Sequence, residues 1–149
     1  MAGNSRLTVA VHALCWLALA ERQGRKALTS EEIAASLESN PVAVRRTLGP
    51  LRDAGLVTTG LGPGGGWSLG RPAAEITVAD VYAAVEPAAL FALHPHEPRR
   101  NCPVGYGIRP VLEDLYADAA RALVERLSQH TVDDVLDTVL HDHPLPGTA

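Results

Sequence analysis

Residues 29–69 read TSEEIAASLESNPVAVRRTLGPLRDAGLVTTGLGPGGGWSL: two helix signals a few residues apart, a glycine stop, then a short hairpin with a glycine-rich tip. The first helix starts at Thr29, whose hydroxyl is placed to cap the amide three residues on while Glu32 reaches back, the reciprocal arrangement of a capping box. Ile33, Ala34 and Leu37 then share one face at helical spacing. The second helix has Asn40 as N-cap and Pro41 at its first position, where a missing donor costs nothing. Its apolar row is Val44, Leu48 and Leu51. Arg45, Arg46 and Arg52 fall off that row, so a core side and an arginine-bearing side are separated around the axis. Pro50 removes one internal hydrogen bond, and Gly55 supplies the left-handed residue that ends the helix. Residues 56–59 and 67–69 read as strands joined by residues 60–66, a tip where little but backbone is on offer. The pattern is a winged helix-turn-helix, mainly α with a small β-hairpin wing.

A helix with outward arginines near its start can offer guanidinium forks to guanine edges in the major groove, and bare glycine amides at a wing tip can approach phosphates. The bland alternative is a winged-helix protein-interaction module whose arginines form a solvated face. The run NPVAVRRTLGPLRDAGLVTTGLGPGGGWSLGRPAAEITVADVYAAVE resembles the Rrf-two family of bacterial transcriptional regulators, which includes the iron-sulfur cluster regulator, the nitric-oxide-sensing repressor and thiol-responsive repressors. The GPGGGW wing followed by LGRPAAEIT is the most specific part, and the similarity covers nearly the whole chain. The resemblance implies a homodimer on a partly palindromic double-stranded operator, a repressor role, and a long C-terminal helix as the dimer element. It places base reading on Val42, Arg45 and Arg46 and wing contacts on Thr59, Leu61 and Gly62; Gly64 of the tip and Thr29, Ser30, Asn40 and Pro41 at the two helix starts complete the expected DNA-contacting set. Many members carry a wing arginine for the minor groove where this chain has Leu61, which shifts the burden onto Arg45 and Arg46.

Working outward, the 149-residue chain has a net charge of -4, which argues against a nucleic-acid partner until it is divided. Residues 1–71 hold eight Lys/Arg against five Asp/Glu, +3, and residues 72–149 hold five against twelve, -7. The basic half can meet phosphates while the acidic half faces away. Residues 7–20 are apolar almost all round, Thr8 and His12 excepted, so this helix is buried on more than one side; one side packs on the winged domain and the other needs a second partner, a C-terminal helix of its own or another subunit. His12 and Cys15 within it read first as core or interface groups. No run is long enough for a membrane helix and no cleavable signal is visible, so the expected location is cytoplasmic. No nucleophile-base pair or phosphate-cradling loop appears, and the expectation is not an enzyme.

Thr77 with Asp80 starts a further helix through Val81 and Val85, closing a winged domain over residues 1–86. Residues 87–107 carry Pro87, Pro95, Pro98 and Pro103 with scattered histidines and no period, which reads as a loop. The pairs His94/His96 and His141/His143 are weak metal signals without a nearby thiolate. Residues 108–140 hold the expected dimerisation helix and a short last helix capped by Thr131 and Asp134, and residues 141–149 a tail. Ile108, Val111, Leu112, Leu115, Ala119, Ala122 and Leu123 recur at threes and fours on the long helix, an apolar stripe that implies subunit pairing; the alternative is packing within one subunit. Cluster-holding family members have three cysteines in the loop, whereas this chain has Cys102 alone, so no cofactor is expected. Two alternatives stay open: an iron-sulfur cluster that recruits His12 along with Cys102, and a thiol sensor at Cys102, with Cys15 as the second thiol. Against the sensor stands an inert thiol at a turn.

Overall fold

The computed structural model describes residues 5–86 and 88–146; Pro87 and residues 147–149 of the expected loop and tail lie outside them. The chain runs α1 (Arg6–Arg22), α2 (Ser30–Ser36), α3 (Pro41–Asp53), β1 (Val57–Gly60), β2 (Gly66–Leu69), a 3-10 turn (Ala73–Glu75), α4 (Val78–Val85), α5 (Pro103–Ser128) and α6 (Val132–Asp142). The strands form one antiparallel hairpin with Val57 opposite Leu69 and Gly60 opposite Gly66. The mainly α winged architecture expected from residues 29–69 is present.

Local side-chain chemistry starts α2 and α3. Thr29 Oγ1 accepts from the Glu32 amide at 3.2 Å, and the Thr29 amide donates to Glu32 at 2.8 Å. Asn40 Oδ1 accepts from the Ala43 amide at 2.9 Å ahead of Pro41. The same reciprocal box recurs at Thr77/Asp80 and Thr131/Asp134. Gly55, at φ 76°, follows the end of α3, a left-handed stop that a side chain would strain.

One core joins these pieces. Ala10, Ala13, Leu14 and Leu17 of α1 meet Ile33 of α2, Val44, Leu48 and Leu51 of α3, Trp67 of β2 and Val81 of α4. The second partner of α1 is α6 of the same chain: Val132 and Leu136 are buried in this core, and Arg22 reaches both Asp133 and Asp137 at 2.7 Å. The starts of α4 and α6 are joined by a bridge between Thr77 and Thr131, in which the Val78 amide donates to His130 O and the Val132 amide to Ile76 O, each at 2.8 Å. The last helix therefore returns to the winged core instead of extending the arm.

The long helix differs from expectation at its start. It begins at Pro103, ahead of Ile108, with Cys102 as N-cap. Gly105 and Gly107 read as loop in the sequence, yet Gly105 lies inside the first turn, where its missing side chain lets the backbone of Arg99 pack against it. No residue of α5 is buried in the single chain. Leu112, Ala119 and Leu123 are half-buried, while Val111 at 63% and Leu115 at 57% exposure, with Ile108 and Ala122, lie open. The loop before α5 packs on it through Phe91 and Tyr116, ring centroids 5.1 Å apart.

The capping carboxylates tie stability to acid. The Thr29 amide, then Arg25, hold Glu32 below the ordinary carboxylate range, and the Thr131 amide does the same to Asp134. A group depressed in the folded state stabilises above its unfolded value and loses that contribution as pH falls through the folded one. Urea stability is expected to be level near neutrality and to fall below about pH 4.5. Denaturation curves of Glu32→Gln and Asp134→Asn should show a shallower acid limb than the parent; an identical limb would remove the caps as its cause.

Candidate DNA interface

The turn between α2 and α3 exposes the first two turns of α3. Val44, Leu48 and Leu51 are buried, which rotates Val42, Arg45 and Arg46 outward, Val42 at 60% exposure. Arg45 is held at 3.1 Å from Glu31 of α2, and both side chains are more than half exposed. Arg46 has no ion pair among the described residues. An exposed pair of this kind stabilises by at most about 1 kcal/mol, whereas a bidentate arginine on a base contributes about 1–3 kcal/mol. A suitable ligand therefore wins Arg45 from Glu31.

The wing is clamped to α2 by residues outside its own hairpin. Leu28 and Trp67 exchange backbone hydrogen bonds of 3.0 and 2.8 Å, and Ser68 Oγ donates to Lys26 O at 2.6 Å. The indole N–H of Trp67 donates to Ser30 Oγ at 3.0 Å. Ser30, expected on the DNA face, is instead 6% exposed; at the first helical position its hydroxyl turns inward and is occupied by the indole. Thr29, Asn40, Thr59, Leu61, Gly62 and Gly64 are exposed, and Pro41 is half-exposed. Glu31 and Trp67 are the members of this surface and its support that the sequence reading left out; the acid in the first turn of α2, facing an arginine on the next helix, was the signal for the first.

At the tip, the Gly65 amide donates to Gly62 O at 2.9 Å, and Gly62 and Gly64 have φ of 77° and 76°. A Cβ on Gly65 would lie 2.6 Å from Gly60 O, so the tip admits no side chain there. Leu61 stands beside this turn at 99% exposure.

Residues 4–138 match the family described as Rrf2, iron-dependent transcriptional regulator. The chain belongs to the Rrf2 family. YwnA of Bacillus subtilis (strain 168), named as an HTH-type transcriptional regulator, is 36% identical over 135 residues, 90% of this chain and 96% of that one. The fold is that of T. potens IscR, with a TM-score of 0.71 at 20% identity over 99% of this chain and 94% of that chain, and of B. subtilis CymR, the global cysteine regulator, with a TM-score of 0.67 at 22% identity over 92% and 97%. The protein is a transcriptional regulator with a DNA-binding fold, and not an enzyme.

The family's metal chemistry can be tested against the side chains present. Cys102 is the sole cysteine of the α4–α5 loop and is exposed. Cys15 is half-buried on α1, its thiol directed at Val132 O at 3.8 Å, and burial pushes it up to about 11. His12, the other ligand candidate, is engaged through Nε2 with Ser36 Oγ at 2.9 Å. Among the described residues no three His, Cys, Asp or Glu side chains are grouped as metal ligands. A single loop thiol and a protonated thiol on another element do not fit a cluster held by three thiolates. No helix among the described residues is long and apolar enough to cross a membrane.

The Arg45–Glu31 pair yields a measurable consequence. Glu31→Gln frees the guanidinium and removes a carboxylate from the expected DNA face, so DNA affinity is expected to rise up to about fivefold, the ceiling of an exposed pair. Fluorescence titration at two salt concentrations checks this; an unchanged affinity at low salt would place Arg45 away from the duplex.

Proposed function

We propose that the protein acts in the cytoplasm as a homodimer that reads a two-fold operator in double-stranded DNA and represses transcription there. The observation that carries this reading is the outward half of α3, where Val42, Arg45 and Arg46 stand on successive turns after a capped start. An arginine there can fork onto guanine O6 and N7, and Val42 can meet a thymine methyl. Thr29, Asn40 and Pro41 open the two helices toward the phosphates, and Thr59, Leu61, Gly62 and Gly64 carry the wing. The name of YwnA supports the regulator role. The test is selection of duplexes from a random-sequence pool, then titration of Arg45→Ala and Arg46→Ala. Each is expected to lose about 1–3 kcal/mol on the selected duplex and less on random DNA. Equal loss on both assigns the arginine to phosphate; no loss on either sinks the reading.

The dimer rests on two apolar faces that one chain leaves open. One is the row Ile108, Val111, Leu115 and Ala122 on α5, beside the half-buried Leu112, Ala119 and Leu123. The other is a groove of about 810 Å³ between α1 and α6 that includes Leu7, Val11, Trp16, Val139 and Leu140. A second copy covers such faces most economically, because every solvent-facing apolar group is then matched by one of its own kind. Leu115→Glu puts a charge into that seam at a cost of several kcal/mol. Sedimentation should show the monomer, and operator affinity should collapse while the winged core stays folded; a dimer that binds normally would locate the seam elsewhere.

Redox response through Cys102 is the second part of the proposal, favoured by the contrast between the two thiols. Cys102 is exposed at the N-cap of α5, whereas Cys15 is half-buried and protonated. Reactivity follows exposure and thiolate fraction. Peroxide or diamide should modify Cys102 first by mass spectrometry, and operator affinity should change in the parent but not in Cys102→Ser. An indifferent parent, or an equal response in the serine variant, would mark an inert thiol.

A further inference from the structure

We propose that Leu61 is an apolar wedge that enters the minor groove beside the major-groove site of α3 and opens a base step there, so that the protein bends its DNA instead of reading a narrow groove by charge. The inference rests on the DNA-reading role of α3 and adds a second recognition mode to it.

Three observations converge on this residue. The first is chemical: between Asp53 and Arg71 the chain carries no charged side chain, so the wing has no cation to place in the negative potential of a narrow minor groove. The second is exposure. Leu61 is 99% exposed, beyond every other large apolar side chain among the described residues, including those of the open α5 row. Its neighbours on either side, Gly60 and Gly62, shield none of it, and Pro63 across the turn adds a second apolar surface without a donor. The third is rigidity. The hydrogen bond from Gly65 to Gly62, the positive φ at Gly62 and Gly64, and the exclusion of any Cβ from Gly65 give the tip one shape. The Trp67–Ser30 hydrogen bond and the Leu28–Trp67 bridge then fix the hairpin against the start of α2 one pair below its loop, where Trp67 faces Thr59.

A rigid support matters because an inserted side chain must keep its position against the stacking it disrupts. Leucine is among the side chains that insert between base steps from the minor groove, and the kink so produced brings more protein against the duplex. β1 leaves the end of α3 through Gly55, so a duplex seated on α3 by Arg45 and Arg46 presents its adjoining minor groove to the wing. Pyrimidine–purine steps unstack at least cost, and the operator is expected to carry one there.

The experiment uses the full-length protein and a duplex enriched from a random-sequence pool by the parent. 2-Aminopurine is placed at successive steps flanking the α3 site, and dyes on the duplex ends report bending by energy transfer. With the parent, fluorescence is expected to rise at one step and the ends to approach. Leu61→Ala, at a position where nothing is packed, should abolish both signals and weaken binding about tenfold, the worth of burying one leucine, while the base preferences set by Arg45 and Arg46 persist. Leu61→Arg should restore affinity without unstacking, steepen the salt dependence and shift preference to A·T-rich flanks. A parent that binds its selected duplex without unstacking or bending, or Leu61→Ala that bends DNA as the parent does, overturns the wedge alone. A pool from which the parent enriches nothing overturns the wedge together with the DNA-reading role beneath it.

Discussion

The hydrogen bond from the Trp67 indole to Ser30 is the contact on which the recognition surface depends. Ser30 opens α2 and Trp67 is the second residue of the second strand of the wing, so one buried polar contact sets the wing's orientation relative to the helix-turn-helix. Burying a hydroxyl is costly unless it is satisfied, and an indole N–H shares that requirement. Each removes the other's penalty. The bridge between Leu28 and Trp67 adds two backbone hydrogen bonds along the same line. Without this clamp the hairpin would be a two-stranded ribbon, marginal by itself in water. With it, the linker after α1, the start of α2 and the wing are joined by hydrogen bonds into one unit.

The remaining architecture divides by charge and by exposure. The half that holds α2, α3 and the wing carries the excess of Lys and Arg, and the half that holds α5 and α6 the excess of acids. Within the basic half much of that charge is already paired: Arg45 with Glu31, Arg25 with Glu32, Arg52 with Asp53, Arg71 with Asp80. These are exposed pairs of small net worth, so they hold the side chains in place without holding them back. On the proposed DNA-reading role, a duplex approaching this face would exchange weak partners for phosphates and bases, and affinity is expected to depend on salt accordingly.

Much of this was legible in the sequence because it is local. A cap is decided within three residues, and Thr29 with Glu32, Asn40 with Pro41, Thr77 with Asp80 and Thr131 with Asp134 all formed as read. The outward placement of Arg45 and Arg46 followed from the spacing of Val44, Leu48 and Leu51. What escaped was non-local. Ser30 meets Trp67 across 37 positions and Arg22 meets Asp133 across 111, and neither pairing has a periodic trace. The early start of α5 escaped for a different reason: Gly105 and Gly107 are breakers by propensity, and only the approach of the Arg99 backbone explains a glycine in that first turn.

The bridge between Thr77 and Thr131 gives the molecule a property of modularity. α4 stays in the core through Val81 and Val85, and the loop and α5 that follow it come back to the core at Thr131, directly opposite the Thr77 at which α4 begins, so one bridge closes the excursion. The segment ahead of Cys102 lies within it. Insertions or deletions in that segment are expected to leave the two threonines, α6 and its contacts with α1 in place. The winged core is thereby insulated from the length and content of that excursion, a separation that would let one scaffold keep the proposed DNA-reading face beside different loops.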